Sequence, residues 1–129
     1  QKVEVTAGLP QADKSLFQKP NLFTLFTLMI GYRQYLRVVG DSMKGTISEG
    51  DLITYKKITS KDLDLKIGDI VVARHPQIKN KLIVKRIYRI NSNKFDLRGD
   101  NCSSSTDSRV WGLIELDLIV GKVDKIYTN

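Results

Sequence analysis

Tyr35-Leu36-Arg37-Val38-Val39-Gly40-Asp41-Ser42-Met43-Lys44-Gly45-Thr46-Ile47-Ser48-Glu49-Gly50-Asp51-Leu52-Ile53-Thr54-Tyr55 reads as a strand, a turn and a second strand. The first apolar run is rich in β-branched residues, Gly40-Asp41 ends it, and Gly50-Asp51 opens the second run at Leu52. Ser42 is thereby expected at a strand end near the surface. A serine so placed is a candidate nucleophile only where a base reaches it, because a free hydroxyl attacks weakly at neutral pH. Without a base, Gly-Asp-Ser is an ordinary turn.

The same texture continues outward. Runs over 35–39, 52–56, 69–74, 82–90, 94–98 and 118–127 are short, β-like and separated by turn signals. Such runs, with no long helices between them, predict an all-β domain of mainly antiparallel sheet. Residues 1–33 differ. Pro10, Pro20 and the lack of periodicity predict an extended arm over 1–20, and 22–30 is a short apolar segment. That segment reads as a buried helix capped by Asn21, or as a membrane-touching stretch beside Arg33 and Arg37. It is too short to span a bilayer, which takes about 20 apolar residues. The expected organisation is an N-terminal arm with a short helix over 1–33 and one folded domain over 34–129.

With 129 residues, 41% hydrophobic and 27% charged, the chain has the make-up of one soluble domain. Lys and Arg total 21 against 14 acidic residues, a net charge of +7, which raises nucleic acid or an anionic membrane as partners. The basic residues are spread, at Lys56, Lys57, Lys66, Arg74, Lys81 and Lys94 among others, without interleaved aromatics. No nucleic-acid partner is therefore expected. One cysteine, Cys102, excludes an internal disulfide, and with one histidine, His75, it argues against a structural zinc site. No metal or cofactor is expected, and a reducing, cytoplasmic compartment is the simpler inference.

His75 precedes Pro76 in a predicted turn, so lysine is left as the base for Ser42. Over 82–88, alternation puts Ile83, Lys85 and Ile87 on one face and Leu82, Val84, Arg86 and Tyr88 on the other. A charged head must share a face with apolar neighbours. Desolvation disfavours an ammonium, so a dry lysine yields a usable free amine. The residues alone leave open whether Lys85 is that lysine or whether it reaches solvent while Arg86 is buried.

Gly40-Asp41-Ser42-Met43, Gly50-Asp51, Gly68-Asp69-Ile70-Val71, Val84-Lys85-Arg86, Gly99-Asp100-Asn101, Ser105-Thr106-Asp107-Ser108-Arg109 and Gly112 follow one another in a familiar order. Over about residues 35–123 this pattern resembles the type I signal peptidases. The resemblance implies the catalytic β fold those enzymes share with LexA-type proteins, and a serine endopeptidase with Ser42 as nucleophile and Lys85 as general base. It further implies that Ser105 orients the lysine ammonium and that Asp107 and Arg109 hold its loop. Met43, Gly40, Gly99, Asp100 and Asn101 would wall the site. Read without the resemblance, Asp107 and Arg109 are a surface ion pair worth under ~1 kcal/mol. The implied substrate is a precursor protein whose leader peptide binds in extended form.

The sequence also departs from that pattern. Gly40 stands where many such peptidases carry a hydroxyl that donates to the oxyanion, and Gly45 stands where proline is usual. The stretch from 85 to 99 is too short for the large inserted β-domain of many bacterial enzymes, and no membrane anchor is expected before Ser42. A compact form with Leu9-Pro10, Gly31-Tyr32-Arg33 and Ala73-Arg74-His75-Pro76 is more similar to the maturation proteases of nickel-type superoxide dismutase. That similarity implies a leader removed from the dismutase precursor. Three other readings stand beside it. They are a LexA-type protein that cuts its own Ala7-Gly8 bond, a membrane-associated signal peptidase I, and a non-catalytic basic binding module.

Overall fold

The glycines that punctuate the sequence mark real reversals of the chain. Gly40 and Gly50 have φ of 93° and 92°, a region that favours glycine, and they bracket the loop between the first two long strands. Residues 3–6, 33–58 and 64–129 are described in this computed structural model, 3–6 as backbone only. The strands are β1 (Val3–Thr6), β2 (Arg33–Val38), β3 (Leu52–Lys57), β4 (Ile70–Arg74), β5 (Leu82–Asn91), β6 (Lys94–Arg98), β7 (Ile114–Glu115) and β8 (Ile119–Tyr127). One short helix, α1 (Ser108–Trp111), lies between β6 and β7.

All strand pairs are antiparallel, in the order β1-β2-β3-β8-β4-β5-β6-β7. β1 also pairs with β5 through Val3 and Leu82, so the sheet curls round and closes on itself. The expected all-β, mainly antiparallel fold is what forms. The six anticipated runs are β2, β3, β4, β5, β6 and β8 to within two residues at their ends. The extended arm contributes β1, a paired strand that proline content did not announce. The apolar stretch 22–30, its Asn21 cap and the Ala7-Gly8 bond lie outside the described residues. No helix among the described residues is long and apolar enough to cross a membrane.

Strand alternation builds two cores. Leu36, Val38, Met43, Ile47, Ile53, Tyr55, Val72 and Val84 form one, and Val71, Ala73, Ile83, Ile87, Phe95, Leu97, Ile114 and Ile119 the other. β4 and β5 serve both, since Val72 and Val84 face the first while Val71, Ala73, Ile83 and Ile87 face the second. These central strands therefore read as nearly continuous apolar runs, and any polar side chain between them is cut off from water.

β8 crosses β3 tightly at Gly121. A Cβ there would press on the backbone carbonyl of Lys56 and the ring of Tyr55. Gly121→Ala is expected to lower stability by roughly 1–3 kcal/mol, because backbone must shift to make room. Urea unfolding of the two proteins checks this, and an unchanged midpoint would show that β8 can move away from β3 at no cost.

Candidate active site

The loop 39–50 is closed at its base, where Val38 N–H donates to Asp51 O at 2.9 Å and Gly50 N–H to Val38 O at 2.8 Å. Inside it Met43 O accepts from Thr46 N at 3.0 Å and from Ile47 N at 2.8 Å, and the Met43 and Ile47 side chains enter the first core. Two buried anchors thus fix a turn that would otherwise be free. Ser42 sits against them and is 4% exposed, so it is buried rather than near the surface as its strand-end position suggested.

A second loop is stapled to the first. Asn101 N donates to Ser42 O at 2.8 Å, Asn101 Nδ2 to Asp41 O at 3.0 Å, and Asp100 N to Met43 Sδ at 3.4 Å. The Asp100 carboxylate accepts from Thr46 Oγ1 at 2.6 Å and from Arg86 Nε and Nη2 at 2.8 and 2.7 Å. Arg86 and Thr46 chiefly hold the Asp100 carboxyl below its ordinary pKa, against the opposing effect of burial. Gly99 is where the pieces meet, since a Cβ on it would run into both Ser42 O and the Ser105 side chain. The backbone of the second loop can approach Ser42 only because that atom is missing.

The Lys85 side chain is sealed inside the fold. It is 0% exposed, on the face it shares with Ile83 and Ile87, while Tyr88 on the opposite face is 47% exposed. Of the two placements that alternation allowed, the structure adopts buried Lys85 and partly exposed Arg86. Lys85 Nζ donates to Ser105 Oγ at 3.1 Å, and Ser105 Oγ donates to Asp107 Oδ2 at 2.5 Å. Burial pushes the Lys85 pKa down; Asp107 acts in the opposite sense, while Arg109 and Lys81 add to the lowering.

Asp107 organises the rest of this loop. Its carboxylate caps α1 by accepting from Arg109 N at 3.1 Å, takes Gly99 N at 2.9 Å, and pairs with Arg109 Nε and Nη2 at 2.9 and 2.6 Å. Burial alone would raise its pKa, but Arg109, Ser105 and these N–H groups hold it well below the usual carboxylate range. The Asp107–Arg109 contact is therefore not the weak surface pair that the spacing alone allowed. Asp107 is fully buried, and an unpaired charge there would be costly.

The residues that the resemblance assigns to the site lie in or beside this cluster: Ser42, Met43, Lys85, Gly99, Asp100, Asn101, Ser105, Asp107 and Arg109, with Gly40 two residues before Ser42. Sequence reasoning missed the bracing role of Arg86, Thr46 and Ser108, whose hydroxyl accepts from Leu97 N at 2.9 Å. For Arg86 a signal existed, because alternation sends it to the face opposite Lys85. His75 is held by its own turn: its Nδ1 accepts from Gln77 N and Ile78 N at 3.0 and 3.1 Å, and its ring stands edge-on to Trp111. Cys102 is exposed and free. Among the described residues no group of three His, Cys, Asp or Glu could hold a metal.

Known proteins are similar to this sequence. The human mitochondrial inner membrane protease subunit 1 is 29% identical over 104 residues, covering 65% of this chain and 63% of that protein. The Arabidopsis thaliana mitochondrial ATP-independent inner membrane protease subunit 1a is 27% identical over 108 residues, covering 66% and 64%. Signal peptidase I of Buchnera aphidicola subsp. Schizaphis graminum is 30% identical over 82 residues, covering 60% of this chain and 26% of its own length. The chain thus spans less than two thirds of the curated relatives it matches. A family model fits residues 3–122, from β1 into β8 and through the whole cluster, and the chain belongs to the Peptidase S24-like family.

Proposed function

We propose that this chain is a serine endopeptidase in which Ser42 attacks a peptide carbonyl and Lys85 takes its proton. The observation that carries the reading is a lysine amine at 0% exposure, bonded to a neutral hydroxyl rather than directly to a carboxylate. Such an amine is biased toward its uncharged form, which a general base must be. Relatives that are themselves named proteases support the same class of reaction.

In the proposed reaction Ser42 Oγ bonds to the scissile carbon as its proton passes to Lys85 Nζ. The backbone N–H of Ser42 stabilises the oxyanion; Gly40 offers no second hydroxyl for it. Collapse breaks the C–N bond, and the ammonium returns the proton to the leaving amine. Water then attacks the acyl-enzyme by the same route and frees Ser42. Ser105 holds the amine in place, because its own proton is committed to anionic Asp107 and its lone pairs face Lys85. The substrate we infer is a precursor with an extended leader peptide, and the compact sequence pattern favours the nickel-type superoxide dismutase precursor.

Ser42→Ala is expected to lower kcat/KM for precursor cleavage by roughly four orders of magnitude or more, read by mass spectrometry of the products. Lys85→Met should abolish cleavage to a similar degree while Tm stays equal or rises, since a desolvated amine is replaced by an apolar isostere. Cleavage that survives both changes would remove the dyad. A self-cleaving protein would instead release residues 1–7 with no added substrate.

The acid limb of kcat/KM should follow Lys85, the rate rising with pH as its amine loses the proton. Arg109 lowers the Lys85 pKa and pairs with Asp107, which raises it. Arg109→Met therefore acts twice in one direction and should move the limb to higher pH. A limb that moves to lower pH, or stays fixed, would assign it to another group.

A further inference from the structure

A cleft of about 160 Å³ is lined by His75, Lys81, Ile83, Thr106 and Trp111, and two of these residues, His75 and Lys81, interact electrostatically with Lys85. Its place follows from the fold. His75 leaves β4 and Lys81 leads into β5, joined by a His75 N to Lys81 O hydrogen bond of 2.8 Å, while Thr106 follows Ser105 and Trp111 ends α1. Ile83 and Lys85 lie two residues apart on one face of β5, and Thr106 follows the Ser105 that accepts from Lys85, so the cleft and the amine share that side of the strand. Its volume is well below the roughly 300–1,000 Å³ that holds a drug-sized ligand or cofactor. It suits one side chain.

The lining says which kind. Lys81 is a cation that makes no ion pair among the described residues, and its charge is felt by both His75 and Lys85. Thr106 adds a hydroxyl. His75 uses Nδ1 as an acceptor for two backbone N–H groups, so Nε2 carries the ring proton and is a donor. The carboxylate that follows Thr106 in the chain, Asp107, is taken up by Arg109, Ser105 and Gly99. Donors and positive charge therefore prevail, with the Trp111 and His75 rings and Ile83 as walls.

We propose that this cleft is a carboxylate subsite that takes an acidic side chain of the peptide substrate close to the cut bond. As a substrate subsite it rests on the peptidase reading; as a carboxylate site it does not. A second source of the same chemistry is a peptide's terminal carboxylate, which the test separates.

Trp111 is the chain's one tryptophan and lines the cleft, so intrinsic fluorescence reports its occupancy directly. Blocked tripeptides with a central Asp, Ala or Lys, and an alanine tripeptide with a free carboxyl end, are titrated into Ser42→Ala protein. The aspartyl peptide should give a saturable change that weakens with salt, and bind at least about tenfold tighter than the alanyl and lysyl peptides. Lys81→Met should remove that preference while leaving Tm and circular dichroism unchanged. No saturable change, equal binding of all peptides, or a preference for the free carboxyl end alone would overturn the assignment. With active enzyme, cleaved peptides should carry Asp or Glu near the cut, and Lys81→Glu should shift that preference toward Lys. If the aspartyl peptide binds yet nothing is cut, the carboxylate site stands and the peptidase reading fails.

Discussion

A dry amine is the constraint around which this molecule is arranged. Lys85 sits in the middle of a central strand with apolar residues on its own face and a paired strand along its flank. Burying an ammonium without compensation costs several kcal/mol, and a directly bonded carboxylate would offset this only by fixing the proton on the lysine. The structure takes a middle course. The Ser105 hydroxyl stands between the amine and Asp107, so the carboxylate steadies the position through a hydrogen-bond chain while burial still lowers the amine's pKa.

That arrangement demands rigidity from segments with no regular structure. The loop after β6 turns back through Gly99, lays its N–H groups and side chains on the Ser42 segment, and then returns Ser105 and Asp107 to the lysine. Its stiffness comes from polar groups with full sets of partners. Asp100 is gripped by Arg86 and Thr46, and Asp107 by Arg109 and two backbone N–H groups. Charge-assisted bonds in a partly buried loop are stronger than neutral ones, and each removes freedom that would blur the position of the serine. The Lys85-Arg86 pair divides the labour by strand alternation, one side chain buried in the cluster and the other clamping the loop from the opposite face.

Much of this was legible in the sequence because it rests on period-two alternation and on turn residues. The runs of β2 through β6 and β8 announced themselves, and so did the choice between Lys85 and Arg86, although not its outcome. Burial of Ser42 was not legible. It depends on Met43 and Ile47 pinning a turn to a core assembled from distant strands, and no local pattern reports that. The same holds for the depth of Asp107. A spacing of two residues between Asp107 and Arg109 fits a surface pair as well as an N-cap, and only the arrival of Gly99 decides between them. β1 escaped notice because its partners on β2 and β5 are remote in sequence.

The hairpin joining β5 and β6 runs the other way from all this. Ser92 takes a left-handed φ of 55° at its tip, and residues 88–94 are exposed, beyond both the lysine and the loop that attends it. Lengthening a loop costs little, growing only with the logarithm of the added chain. Extra sequence spliced in at that point would be borne on two paired strands like a flag on a staff. Size and surface can thus diverge among proteins of this architecture at one address while the chemistry a few residues down the same strands stays unaltered.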